Sequence, residues 1–156
     1  MKSPRIMLAL FFLSLLSGCA IHADVPDRFL KLKNDRYEFK ATSADDAIFW
    51  VRRFDTEAED STLDFWEEAL TNNLVKGRGY KLVKSDKLQT RSGCPGRTMI
   101  LEATVGGQTQ RELFVVFLKE RLWDGPSIYV AEYVAPAPLF DQYLDKVREA
   151  IESLDL

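Results

Sequence analysis

Thr98-Met99-Ile100-Leu101-Glu102-Ala103-Thr104-Val105-Gly106-Gly107-Gln108-Thr109-Gln110-Arg111-Glu112-Leu113-Phe114-Val115-Val116-Phe117-Leu118 is the stretch that decides the fold. Two runs with strand-like composition flank a Gly-Gly pair, which reads as two long strands joined by a two-residue primed turn. Pairing outward from that turn sets Val105 against Gln108 and Glu102 against Arg111, so opposite charges meet across the ladder. Residues 113–118 are apolar on both faces, which predicts a central strand covered from both sides. As an edge strand the same run would template aggregation.

Downstream, Trp123-Asp124-Gly125-Pro126 turns the chain into an alternating strand, Ile128 to Val134, which Pro136 and Pro138 close. Pro138 suits the first turn of a helix. That last helix carries Phe140, Tyr143, Leu144, Val147, Ile151 and Leu154 on one face and charged residues opposite.

Upstream, Ser92-Gly93-Cys94-Pro95-Gly96 is a loop, and Tyr80 to Val83 is a shorter strand. Leu63, Trp66, Leu70 and Leu74 form one stripe of a helix that starts near Ser61, with Asp64 at the capping-box spacing, and ends at Gly77. Acidic residues gather at its start and Lys76 and Arg78 at its end, as the helix dipole favours. Earlier still, Tyr37 to Lys40 and Ala47 to Phe54 read as a hairpin, with Ile48, Trp50 and Phe54 sharing a face with Arg52. Residues 20–35 read as a tether, able to span at most roughly 55 Å if fully extended. The order is ββ-α-ββββ-α: an α+β domain over residues 36–156, an antiparallel sheet of about six strands with helices packed on it.

The first 18 residues are of another kind. Lys2 and Arg5 precede an apolar run from Ile6 to Leu16, about half the length a membrane-spanning helix needs. The run closes on Leu16-Ser17-Gly18-Cys19, which resembles the lipobox of bacterial lipoproteins. The resemblance implies cleavage before Cys19, lipid on its thiol, and residues 19–35 as lipidated cysteine and tether. An ordinary cleavable signal or an uncleaved anchor are the alternatives. Ala20 is not the aspartate that the lipoprotein pattern associates with inner-membrane retention, so the expected site is the outer membrane facing the periplasm, or otherwise the extracytoplasmic face of the inner membrane.

Removal of residues 1–18 leaves 138 residues, a size suited to one core. The signal holds two of the 21 Lys and Arg and none of the 24 Asp and Glu, so the mature chain has a formal charge of −5. That balance argues against nucleic acid and against electrostatic adhesion to anionic lipid. Attachment falls to acyl chains, at about 0.8 kcal/mol per buried methylene.

From about Tyr37 to Leu156 the chain resembles the PsbP-like fold. The resemblance rests on the element order, Gly77-Arg78-Gly79-Tyr80 after the helix, the glycine-turned hairpin, Tyr129-Val130-Ala131-Glu132-Tyr133-Val134-Ala135-Pro136, then Phe140-Asp141-Gln142-Tyr143 and Ile151-Glu152-Ser153-Leu154. It implies an α-β-α sandwich that is usually a binding or assembly module without catalysis, and it assigns no functional residue here.

His22 is the single histidine and falls in the tether, so a Ser-His-Asp triad, a Cys-His pair and histidine-bearing zinc sites are unexpected in the domain. Asp55, Glu57, Glu59, Asp60, Asp64, Glu67 and Glu68 lack the ligand spacing and turn glycine of a calcium loop and read as a solvated helix entrance. Cys94, with Arg91 and Arg97 three residues away on either side, is either a thiolate-forming, partner-linking thiol or a small side chain tucked under a loop. Trp50, Trp66 and Trp123 read as core or rim residues. No metal or cofactor is expected.

Three functions follow in order. The first is a lipid-anchored, non-catalytic envelope module that binds a protein partner. The second is a carrier of a lipid or apolar ligand, which requires a sizeable internal pocket. The third is a hydrolase or thiol enzyme using Cys94 or paired carboxylates.

Overall fold

The computed structural model describes residues 21–56, 62–120 and 125–156. The strands among these residues are β1 (Phe29–Lys31), β2 (Phe39–Ser43), β3 (Ile48–Asp55), β4 (Lys81–Gln89), β5 (Pro95–Val105), β6 (Gln108–Lys119) and β7 (Ser127–Pro136). The helices are α1 (Leu63–Asn72), prolonged by a π-type turn over Asn73–Gly77, and α2 (Ala137–Glu152). One antiparallel sheet takes all the strands in the order β1-β2-β3-β7-β6-β5-β4.

The β5–β6 hairpin has the register its sequence dictates: Val105 faces Gln108 and Glu102 faces Arg111. Gly106 and Gly107 both adopt positive φ, the requirement of a primed turn that makes glycine the residue of choice. The Arg111 Nε lies 2.7 Å from Glu102, and its Nη1 reaches both oxygens of Asp141 on α2 at 2.8 Å. The cross-strand pair therefore also fastens α2 to the sheet.

β6 lies between β5 and β7, and residues 113–117 are buried. Alternation along the strand sends Leu113, Val115 and Phe117 to one face and Phe114 and Val116 to the other. The first face meets α2 through Phe140, Tyr143, Val147, Ala150 and Ile151. Tyr133 stacks on Phe140 at 4.9 Å between centroids, and Tyr133, Phe39, Phe49 and Phe117 are among the largest side chains removed from water. Each such aromatic contributes about 1.5–3 kcal/mol by burial. The second face meets α1 through Leu63, Trp66, Leu70 and Leu74, with Met99, Leu101, Phe114 and Val116 beneath. The architecture is thus helix, sheet, helix.

The two helices are held unequally. α2 buries five residues, whereas α1 buries none and its stripe is only half-covered until Leu74 in the π-type turn. Thr62, not Ser61, is the N-cap of α1: its hydroxyl accepts from the Phe65 N–H at 3.1 Å. Ser61 and the carboxylates Glu57, Glu59 and Asp60 lie outside the described residues, as do Trp123 and the signal with Cys19.

The seven strands of the sheet roughly fit the six or so expected, and the additional one, β1, falls inside the stretch read as a tether. That stretch is not free. Ile21, Ala23 and Phe29 are buried in the α2-side core. The Asp155 N–H donates to the His22 carbonyl at 3.0 Å, the Asp24 N–H donates to Ser153 Oγ at 2.8 Å, and Lys146 binds Asp27 at 2.6 Å. Lys146 also holds the Asp27 carboxyl below the usual carboxylate range. Charged residues at 24, 27, 28, 31 and 33 give the segment a tether-like composition, yet Ile21, Ala23 and Phe29 pack it as a strap along α2.

β4 also runs further than the sequence suggested, from Lys81 to Gln89, as an exposed edge strand. Lys81, Lys84 and Lys87 and a register shift between Leu82 and Lys84 blunt that edge against pairing with other chains.

Candidate functional site

α1 packs over β5 and β6, and among the described residues no helix lies above the neighbouring half of the same sheet face, made by β7 and β3. Pleating sends Trp50, Arg52 and Phe54 of β3 and Val130 and Glu132 of β7 to that face, because cross-strand partners share a side: Trp50 faces Glu132, and Glu132 faces Phe114 of β6. The step between covered and uncovered halves is a cleft of about 410 Å³, open to solvent. Leu70, Asn73 and Leu74 wall one side, Trp50, Arg52 and Phe54 the other, and Arg78 and Tyr80 close it.

Two carboxylates stand in the cleft among apolar neighbours, Glu112 and Glu132. Each is held by a neutral donor: Trp50 Nε1 donates to Glu132 Oε2 at 3.1 Å, and the Tyr80 hydroxyl donates to Glu112 Oε1 at 3.0 Å. Neither forms a salt bridge among the described residues, although Arg52 and Arg78 stand at the rim. Burial pushes Glu132 up to about 7, the charge of Glu112 adds to the rise, and the Trp50 bond and the two arginines oppose it. Burial also raises Glu112, against the Tyr80 hydrogen bond and Arg78. Tyr80 is raised in turn, first by burial and then by Glu112.

Outside the cleft the sheet face continues into a cationic and aromatic shelf. The Tyr37 ring has the Arg52 guanidinium 4.5 Å from its centroid and the Lys40 ammonium at 5.1 Å, and Trp50 packs at 5.9 Å. Phe54 is about half-exposed beside it.

The arrangement recognises a ligand with both polar and apolar parts. Two carboxylates held by neutral donors can accept further donors or a cation, the rim arginines can take a carboxylate, and Trp50 and Phe54 offer flat apolar surface. A carrier of apolar ligand would need a closed, mostly apolar pocket, and these walls carry four ionisable side chains besides Tyr80.

The residues singled out in the sequence are dispersed. Cys94 lies on the α2 side of the sheet, half-buried, with its thiol pushed up by burial. Its neighbouring arginines point to other partners: Arg91 to Asp24 at 2.9 Å, and Arg97 to Asp64 at 2.6 Å and Glu67 at 3.4 Å. The reading of Cys94 as a small packed side chain is the one its surroundings fit. Asp64 and Glu67 belong to that arginine cluster, with Ser85 also bonded to Glu67. Trp66 packs beneath α1 with its indole N–H buried and without a hydrogen-bond partner among the described residues. The His22 carbonyl accepts from the Asp155 N–H beyond α2, tying the strap to that end of the helix.

Glu112 and Glu132 were not singled out from sequence, and a signal was present. By period-two alternation Glu112 shares a face with Phe114 and Val116, and Glu132 with Ile128 and Val130, so each is a carboxylate on a helix-covered or half-covered face.

No protein-family profile matches the chain, and no curated protein matches it by sequence. Solved structures do match. LpqN of Mycobacterium tuberculosis, described as involved in cell envelope biogenesis, superposes with a TM-score of 0.67 at 12% identity, over 86% of this chain and 81% of its own. PA94 of Pseudomonas aeruginosa, of unknown function, gives 0.57 at 15% identity over 87% and 82%. The Saccharomyces cerevisiae Ran-binding protein Mog1p gives 0.54 at 14% identity over 89% and 91%. At these identities the likeness is one of fold alone, and it extends over most of each chain.

Proposed function

We propose that the chain is a lipid-anchored, non-catalytic protein of the bacterial cell envelope that binds a protein partner in the cleft between α1 and β3. The observation that carries this reading is the half-covered sheet face, with Trp50, Arg52 and Phe54 presented beside the Glu112–Glu132 pair. An exposed aromatic and arginine surface over a polar floor is the composition of a recognition surface. The anchor is Cys19 at the end of Leu16-Ser17-Gly18-Cys19, with the outer membrane as its destination.

Two likenesses support the reading. The fold shared with LpqN links the architecture to envelope biogenesis, and that shared with Mog1p links it to protein binding.

A Cys19→Ser chain made without residues 1–18 tests it. It should bind its partner in solution as the native form does, yet complement a deletion poorly, because the membrane raises the effective concentration of anchored partners. Full complementation by the soluble form contradicts the anchor. Turnover of any substrate that a single cleft substitution abolishes contradicts the binding role.

A further inference from the structure

We propose that the bilayer headgroup surface is a contact partner of the end of the domain that carries His22, Arg91, Ser92, Glu152 and Asp155, and that the lipidated protein stands upright on it. The proposal rests on the Cys19 lipidation reading and adds to it an orientation.

The argument is one of chain length. Cys19 precedes Ile21 by two residues, which span at most about 7 Å. Ile21 and Ala23 are 8% and 4% exposed and belong to the core, so the domain begins where a free tether had been expected. The strap then runs along α2 from its C-terminal end toward its start, through His22 with Asp155, Asp24 with Ser153, Asp27 with Lys146 and Phe29 against Tyr143. Its origin is therefore at the C-terminal end of α2.

The β4–β5 loop meets the same end: the Arg91 N–H donates to the Glu152 carbonyl at 2.7 Å, and the Arg91 guanidinium reaches Asp24 at 2.9 Å. A lipid attached within about 7 Å of Ile21 leaves no room for this end to stand away from the headgroups. β5 runs from Pro95 beside that loop to Val105, so the Gly106-Gly107 turn lies roughly 33 Å away at the far end of the sheet.

The charges there are of both signs, Arg91 against Asp24, Glu152 and Asp155. Covalent lipid and the packed strap set the orientation, so it should not depend on anionic lipid. The cleft opens on the sheet face opposite the strap, and in this posture it faces sideways, within one domain length of the membrane. The partner that reaches it is a membrane protein or one held close to the same surface.

The test uses the full lipoprotein purified from membranes, in a Cys94→Ala background, with a nitroxide at Ser92→Cys, Asp155→Cys or Gln108→Cys. The N-terminal peptide is weighed to establish its acyl chains. The protein is placed in vesicles of phosphatidylethanolamine and phosphatidylglycerol, or of phosphatidylcholine alone, each doped with a nickel-chelating lipid. Several-fold stronger relaxation at Ser92 and Asp155 than at Gln108, in both mixtures, is expected. A flexible Gly-Ser segment inserted between Ala20 and Ile21 should erase the contrast. Acylated protein with equal relaxation at all three sites overturns the orientation alone, and a contrast that survives the insertion overturns the claim that the short link from Cys19 sets it. An N-terminal peptide without acyl chains overturns the anchor and the orientation together.

Discussion

The Trp50 indole donates to the Glu132 carboxylate at 3.1 Å across the β3–β7 ladder, where the two residues are direct cross-strand partners. The bond is local in space and 82 residues long in sequence. It fixes the Trp50 ring at the cleft wall and partly offsets the burial of a carboxylate that titrates at about 7.

That shift makes stability depend on pH. The ordinary glutamate value is 4.5, so the folded protein holds this proton more tightly than the unfolded chain. The stabilisation is fully present below pH 4.5 and is lost as pH rises through about 7. By pH 8 the loss is on the order of 3 kcal/mol. Glu132→Gln should match the native protein in urea unfolding near pH 4 and exceed its stability at pH 8. Parallel pH profiles for the two proteins would show that Glu132 is not the group responsible.

Gly96 sits in β5 against β6, where an added Cβ would lie 2.7 Å from Phe117 Cε1 and 3.2 Å from the Val116 carbonyl. Phe117 is fully buried and cannot swing clear. Gly96→Ala should therefore lower the unfolding free energy by about 1–3 kcal/mol, the usual cost of overpacking. Gly77, with open space around the same position, serves as the comparison. A Gly96→Ala midpoint equal to that of Gly77→Ala would contradict the close packing.

Cys94 is half-buried, its thiol raised by burial against a smaller opposing effect of Lys119. Thiolate is the reacting species, so maleimide should label the folded protein slowly at neutral pH and the urea-unfolded chain fast. Cys94→Ala should leave partner binding unchanged. Equal labelling rates, or a disulfide-linked dimer that disappears in the variant, would give Cys94 a chemical role.

Local chemistry made much of the fold legible. The Gly106-Gly107 turn dictates the hairpin register, Pro138 the entry to α2, and residues 113–118 the centre of the sheet. β1 was missed because three residues carry little periodicity and lie among charges. Ile21, Ala23 and Val25 did alternate, and two of the three are core residues, so the strap left a trace that composition outweighed. The cleft was not legible as a site. Its walls come from β3, α1, β4's approach, β6 and β7, and whether α1 covers the β5–β6 half or the β3–β7 half is a tertiary choice that no local pattern encodes.

The central claim is that the cleft is where a partner is held, and position-resolved crosslinking in cells tests it most directly. A photoreactive residue would replace Arg52 or Phe54 at the cleft and, separately, Gln142 or Asp145 on the exposed face of α2, all in the full-length chain expressed in its native host. The account predicts one envelope protein crosslinked from both cleft positions and not from α2, with the yield falling when Trp50→Ala is added. Crosslinks to that protein from α2 and none from the cleft would contradict it.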